Sequence, residues 1–291
     1  MKSIGIVTEE TVDLLPKTVK ALQIEIVPVI LNWPEMESMP GGNTFEKMRE
    51  LERRGITGFG KTSQPSPVDF LTRYREQLNR FNEVICITLT SKLSGSHNSA
   101  LLARSLLLPD EQCRVFIVDS LNVSCGQALV VLKAVDLIKS GKQVQEVVDT
   151  LKEFIHQVHL FAMFRETKWL EASGRISHVV TSLIRGLARI GVRPLMTIEE
   201  GTLVPAGLKT RARDTADVLF KQFDKNSRKA RQAGKKIRLA ITHADNQGSA
   251  LRLKLMAEEL QNVEVVLVNL INNVIGVITG PDTLAFAWSE I

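Results

Sequence analysis

A two-lobed α/β fold, with a Rossmann-like parallel sheet in the first lobe and an α+β second lobe built on a mixed sheet, is predicted by three observations. The chain has 291 residues, more than one domain usually holds. Short β-branched runs alternate with helical patterns from the start to about residue 157, the rhythm of parallel strands joined by helical crossovers. Beyond that point the rhythm changes, and two apolar runs flank Glu199, Glu200 and Gly201 as the arms of a hairpin flank its turn. The expected lobes are therefore residues 1–157 and 158–291.

Taken in order, "SIGIVT" (3–8) predicts the first strand. A helix is interrupted or started by Pro16, and "IEIVPVIL" (24–31) predicts the second strand. A Gly/Pro-rich loop at 39–43 precedes the charged amphipathic helix "TFEKMRELERRG". The next helix, "SPVDFLTRYREQLNRF", has Ser66 placed as its N-cap and Pro67 at its first position, where the missing amide hydrogen costs nothing. "VICITLT" (84–90) and "RVFIVDS" (114–120) are strands, with a helix from about Ser96 between them and two helices within 121–157.

In the second lobe the pattern gives a strand at "VHLFAMF", a short helix at "TKWLEA", a turn at "SGRIS", an apolar helix, and then the hairpin "VRPLMTIEEGTLVPAGLKTR". A long basic helix, the strand "IRLAITH", a helix over 246–260, and the strands "VEVVLVNL" and "IGVITG" complete it.

Composition narrows the function classes. A net charge of +5 suits an anionic partner, but aromatic residues are only 5% of the chain. Base stacking therefore has little to work with, and no nucleic-acid partner is expected. The basic run at 225–238 reads as a solvated helix face followed by a strand. No segment approaches the roughly 20 apolar residues that span a bilayer, and "MKSIGIVTEE" turns acidic before a signal core forms. A cytoplasmic protein without membrane insertion is expected. Cys86, Cys113 and Cys125 are odd in number and lack paired spacing, so neither a disulfide framework nor a zinc site is expected.

"GITGFGKT" (Gly55 to Thr62) satisfies the phosphate-loop pattern residue for residue. That mechanism needs a strand entering and a helix leaving, so that loop N–H groups and the helix dipole meet the phosphates. Here a charged helix enters, and the exit holds Pro65 and Pro67, which disfavour helix at Gln64 and Ser66. Ser96 and His97 are sequence neighbours and project about 100° apart on a helix, so they do not form a nucleophile–base pair. No spacing suggests a metal, and the dinucleotide fingerprint is absent after the first strand.

What remains is a set of strand exits rich in hydroxyls: "TEET" (8–11), "TSKLSGS" (90–96) and "DSLNVSCG" (119–126), with "KTSQPSP" (61–67) as a fourth polar loop. In open parallel sheets ligands sit outside the carboxyl ends of the strands. Hydroxyls with free N–H groups at a helix N-terminus suit an oxyanion such as a carboxylate, and they supply no general base. The plainer alternative, helix capping, holds for any single loop. Their number in one lobe favours a binding crevice.

"IVTEETVDL", "KTSQPSPVDF", "ITLTSKLSGSHNSA", "VFIVDSLNVSCGQALVV", "LEASGRIS", "RPLMTIEEGTLVPAGLKTRAR" and "VIGVITGPD" resemble, in order and over essentially the whole chain, the DegV family. The resemblance implies a bacterial two-lobed carrier that buries one long-chain fatty acid as its ligand, without a cofactor. It implies no chemistry by the carrier itself. A separate fatty acid kinase subunit phosphorylates the presented carboxylate for phospholipid synthesis. By motif, carboxylate hydrogen bonds fall to Thr62 and Ser94, with Ser63, Gly95 and Ser96 completing the polar end. Arg175, Arg211 and Arg213 match basic positions that would face the kinase subunit. A sixteen-carbon tail buried at about 0.8 kcal/mol per CH₂ gains on the order of 10 kcal/mol, so the tail dominates affinity and the hydroxyls orient.

The chain departs from the family pattern in two places. Glu9 and Glu10 stand where D-S is common, and their charge would repel a carboxylate unless the side chains point away. In the "T-H-x-G-P-G" segment, Ile278 stands at the histidine position and Asp282 at the final glycine, so a head-group contact is expected to be lost. Two other classes compete with a lipid carrier: a binding module for a small anionic metabolite, and an ATP-dependent phosphotransferase using Gly55–Thr62.

Overall fold

The computed structural model describes residues 2–56, 58–176, 192–210 and 214–291, together with 182 and 186. The chain divides into two compact units, the first made of residues 1–30, 63–158 and 200–202, the second of 31–62, 159–199 and 203–291. The division at 158/159 falls beside the expected boundary. The expectation of one continuous first lobe is corrected, because residues 31–62 group with the second unit.

The first unit holds a parallel four-stranded sheet in the order β2-β1-β5-β6: β1 (Lys2–Glu9), β2 (Glu25–Val27), β5 (Phe81–Thr88) and β6 (Val115–Asp119). Pro28, which has no amide hydrogen to give a ladder, splits the expected second strand into β2 and β3 (Ile30–Asn32); β3 pairs instead with β4 (Lys61–Ser63). The helices of this unit include α1 (Pro16–Leu22), α4 (Pro67–Leu78), α5 (Ser96–Ser105), α7 (Cys125–Lys139) and α8 (Val144–Phe154). At the start of α4, Ser66 and Asp69 exchange side-chain to backbone hydrogen bonds in a capping box, with Pro67 next. Val7, Val84 and Cys86 of the sheet bury against Phe70 and Tyr74 of α4 and Ala100 and Ala103 of α5.

The second unit holds a mixed six-stranded sheet, β11-β10-β12-β7-β8-β9. Its strands are β7 (His159–Met163), β8 (Val192–Glu199), β9 (Thr202–Thr210), β10 (Ile237–His243), β11 (Val263–Leu270) and β12 (Leu284–Glu290). β10 and β11 run parallel, and β12 is antiparallel to both β10 and β7. The β8–β9 turn uses Glu200 at φ 45° and Gly201 at φ 80°, the paired left-handed conformations of a tight hairpin. One face of this sheet buries Phe161, Leu239, Ile241 and Phe286 against α10 (Thr215–Gln232) and α11 (Gln247–Glu258).

Residues 31–62 join this unit for a packing reason. The helix α3 (Thr44–Arg53) buries Phe45, Met48 and Leu51, and the Phe45 ring fills the place of a side chain at Gly276, where a Cβ would come within 2.7 Å of it. Thr44 Oγ1 also donates to Asn273 Oδ1 at 2.7 Å. Gly276 and Asn273 lie in α12 (Asn273–Thr279), so the expected strand "IGVITG" is corrected to a helix. Asn272 caps it by accepting from the N–H groups of Val274 and Ile275, and Gly280 ends it at φ 80°. The last strand is β12, which the sequence reading did not find. The apolar helix expected after "SGRIS" lies outside the described residues.

Candidate functional site

In the first unit the sheet order reverses between β1 and β5, since β2 lies outside β1 and β6 outside β5. The carboxyl ends of β1 and β5 therefore flank the crevice where a ligand is expected. Glu9 ends β1 and Thr88 ends β5.

The hydroxyls predicted around this crevice divide into two groups. Those of 8–11 and 119–126 are consumed inside the protein. Thr8 donates to the Ile87 carbonyl, Thr11 to Gln127, Ser120 to the Asn122 carbonyl, and Ser124 to Asp13. At these loops the plainer reading prevails, and the side chains are buried.

At 94–96 the arrangement differs. The Ser96 N–H donates to Ser94 Oγ at 3.2 Å, and the two hydroxyl oxygens lie 3.0 Å apart. Gly95 precedes α5 and has no side chain to cap its first turn. The structure adds a residue that the sequence reading passed over. Gln64 lies so close to Gly95 that a Cβ there would meet Gln64 Oε1 at 1.8 Å, and its amide donates to Ser99 Oγ at 3.0 Å. Within the first unit, Gln64 thus joins the segment that begins at Ser63 to Gly95 and Ser99. The signal was present in the "TSQP" sequence, but a glutamine beside proline has no periodicity to reveal its contact.

Beneath these loops Glu9 is fully buried. Its Oε2 accepts from the Leu89 N–H and from Gln127 Nε2, each at 3.0 Å, while its Oε1 has no hydrogen-bond partner. Burial pushes its carboxyl up to about 7, against the opposing pull of the Leu89 N–H, Gln127 and Ser96. Glu10 is also shifted upward by burial, offset in part by the Val29 backbone. The repulsion expected unless these side chains point away is relieved at Glu9, which is buried and keeps its proton to about pH 7. His97 faces Thr88 Oγ1 at 3.0 Å through Nδ1, while Ser96 pairs with Ser94; the two neighbours work apart, as their helical spacing requires.

The second unit carries the other predicted positions. Arg175 Nη2 donates to Thr62 Oγ1 at 2.7 Å, and burial lowers the Arg175 guanidinium from its ordinary value. Arg175 is half-buried. Ile278 is buried in α12, on a helix rather than the expected strand. Asp282, at φ 63°, accepts from Arg49 at 3.0 Å and from Arg165 at 2.5 Å, so the position read as a lost glycine anchors an ion-pair network that also holds Asp245. Arg211 and Arg213 lie outside the described residues.

The phosphate-loop match fails on its surroundings. It is entered from α3, its Lys61 and Thr62 belong to strand β4, and the following helix starts only at Pro67. Phe59 packs edge-on against Trp169 at 5.3 Å, and a Cβ at Gly60 would meet Trp33 at 2.7 Å, so aromatic rings occupy the loop's flank.

On the second face of the mixed sheet Ala162 pairs with Ala285 and Ala240 with Ala287 across β7, β12 and β10, beside the larger Leu160 and Met196, and all six are buried. A separate cavity of about 370 Å³ lies at the other end of the first sheet, lined by Ile4, Ile6, Leu22, Phe81 and Val135. Ile4 is five residues before Glu9 on β1, roughly 16 Å along an extended strand, so this cavity is no part of the hydroxyl site. Among the described residues no cluster of His, Cys, Asp and Glu could hold a metal ion, and no helix is long and apolar enough to cross a membrane.

Comparison with known proteins gives a consistent picture. The family model described as "Uncharacterised protein, DegV family" matches residues 3–290. A DegV domain-containing protein of Caldanaerobacter subterraneus is 32% identical over 70% of both chains. A protein of Thermotoga maritima named fatty acid-binding protein is 27% identical over 97% of this chain and 96% of its own. Among solved structures, a Thermus thermophilus DegV family protein described for its fatty acid binding superposes with a TM-score of 0.83 at 26% identity, covering 99% of this chain and 100% of its own.

Proposed function

The chain belongs to the DegV family, and from that premise we propose that it is a non-catalytic fatty-acid carrier, which buries the acyl chain and presents the carboxylate to a separate fatty acid kinase subunit. The observation that carries the proposal is the Ser94–Gly95–Ser96 loop at the sheet's reversal point, where two hydroxyls lie 3.0 Å apart at the start of α5 and Ser94 Oγ accepts the Ser96 N–H. Donors of this kind hold a carboxylate without neutralising it, so its oxygen stays nucleophilic toward a phosphoryl donor. In the second unit, Thr62 Oγ1 accepts from Arg175 Nη2 at 2.7 Å. The acyl chain is buried away from water, and in the second unit Ile278 stands as a buried apolar side chain where a polar contact would otherwise be. The setting is cytoplasmic.

Mass spectrometry on denatured purified protein tests the proposal by releasing a fatty acid of about C14 to C20 in roughly one-to-one ratio. Absence of any lipid, together with no thermal stabilisation by added palmitate or oleate, overturns it. Competition by short carboxylates instead of fatty acids would assign the site to a small anionic metabolite. Ser94→Ala and Thr62→Ala each weaken ligand binding by roughly 1 kcal/mol without unfolding the protein. They also slow acyl-phosphate formation when a bacterial fatty acid kinase is supplied.

A further inference from the structure

We propose that the exposed apolar seam where α4 meets α5 is the surface on which the partner protein sits when it takes the head group, and that this partner presents an apolar ridge with acidic side chains beside it. This rests on the presentation reading given above and adds the place of contact. The seam lies wholly within the first unit.

Two helical stripes build it. On α5, Ser99 accepts from Gln64 and Ala103 is buried with Phe70 and Tyr74 of α4, so this edge of the helix faces α4. Leu102 and Leu106 each follow one of these residues by three positions, the spacing of neighbours on a helix surface. On α4, Leu71 packs against the same buried cluster, with Val68 three residues before it and Arg75 four after. The Tyr74 hydroxyl donates to the Ala100 carbonyl at 3.2 Å and ties the two helices together beneath.

Val68, Leu101, Leu102, Leu106 and Leu108 are 44–62% exposed. One such side chain on a surface is ordinary, but a group of them on adjoining stripes marks an interaction site. The charges around the group have one sign. From Thr90 to Pro109 the chain holds no acidic residue, while Lys92 and Arg104 are both exposed. Arg104 spends one N–H on the Val115 carbonyl at 3.5 Å and keeps the rest of its donors. The acids of α4 are engaged, since Asp69 accepts from Ser66 and Glu76 pairs with Arg73 at 2.6 Å. Arg75 is exposed and has no ion pair among the described residues. An apolar centre with arginines at its edge is matched by a partner of acidic edge.

Placement ties the surface to the head group. α5 begins at Ser96, in the loop that holds the hydroxyl pair, and Leu102 follows six residues later, roughly 9 Å along the helix axis. A protein seated on the seam therefore has its own edge at the Ser94–Ser96 loop. A carrier that hands over its ligand must also let its partner go, and a patch of two short stripes suits a transient contact.

The test uses the oleate-loaded full chain with a purified bacterial fatty acid kinase and ATP, following the rate of acyl-phosphate formation against carrier concentration. The double variant Leu102→Gln with Leu106→Gln should raise the half-saturating carrier concentration about fivefold or more, while calorimetry shows its oleate affinity unchanged. Arg75→Gln should raise it about twofold or more at low salt, with the difference shrinking at high salt. Leu251→Gln with Leu255→Gln, an exposed pair in the second unit, should match wild type in both measurements. Half-saturation unchanged in the seam variants overturns the seam and leaves the carrier and its presentation intact. If the seam variant keeps wild-type kinase behaviour but loses sedimentation with phosphatidylglycerol vesicles, or turns a wild-type dimer into a monomer, the patch belongs to a bilayer or to a second copy and the inference falls. A wild-type chain that binds oleate but yields no acyl phosphate overturns the presentation reading and this inference together. One that binds no oleate overturns the carrier function as well.

Discussion

Gly95 has no side chain because the Gln64 amide stands where one would be. Gly95→Ala should therefore push Gln64 off Ser99, weaken oleate binding severalfold and destabilise the protein by about 1–3 kcal/mol, as overpacking does. The double variant Gln64→Ala with Gly95→Ala should recover most of the lost stability, and denaturant melts of the four proteins in this cycle measure that coupling. Glu9 gives a second residue-scale expectation. The unfolded chain releases its proton near the ordinary 4.5, whereas the folded protein keeps it to about 7. Stability from this group is thus fully present below 4.5 and lost as the pH rises through 7, a difference of about 3 kcal/mol across that interval. Thermal melts of Glu9→Gln without ligand should exceed wild type at pH 8 and match it near pH 4.5. Neither residue's role was visible in the sequence. Gln64 depends on a contact between loops, and the proton on Glu9 depends on burial that its acidic neighbour Glu10 concealed.

At the scale of elements, much of the fold was legible. The parallel strands of the first unit, the N-cap at Ser66 and the hairpin at Glu200 and Gly201 each follow from local rules of strand, cap and turn chemistry. The end of the chain was misread for a physical reason. "NVIGVIT" is β-branched and apolar, which favours a strand, but the Asn272 cap and burial against Phe45 make it a helix. The true last strand alternates large residues, Leu284, Phe286 and Trp288, with Ala285 and Ala287, and both sets are buried, so no polar alternation marks it. Asn272→Ala should cost about 1 kcal/mol in stability, measured by urea denaturation. Ala285→Leu adds bulk at a buried position opposite Ala162 and should destabilise the protein by about 1–3 kcal/mol in the same measurement.

At the scale of the whole molecule, the chain passes from the first compact unit to the second and back more than once. The sequence suggested a single passage because composition does not change across 31–62, and only the pairing of Phe45 with Gly276 shows where that segment belongs. The arrangement has a consequence for biosynthesis. The first sheet can close once residues through about 158 have left the ribosome, but α3 must then wait for a partner about 230 residues further along. At usual translation speeds that wait is on the order of tens of seconds. Phe45, Met48 and Leu51 stay uncovered throughout it, a natural target for a nascent-chain chaperone. Limited proteolysis of ribosome-stalled chains should find cleavage concentrated in 31–62 at every stall point before residue 273, and protection there once synthesis is complete.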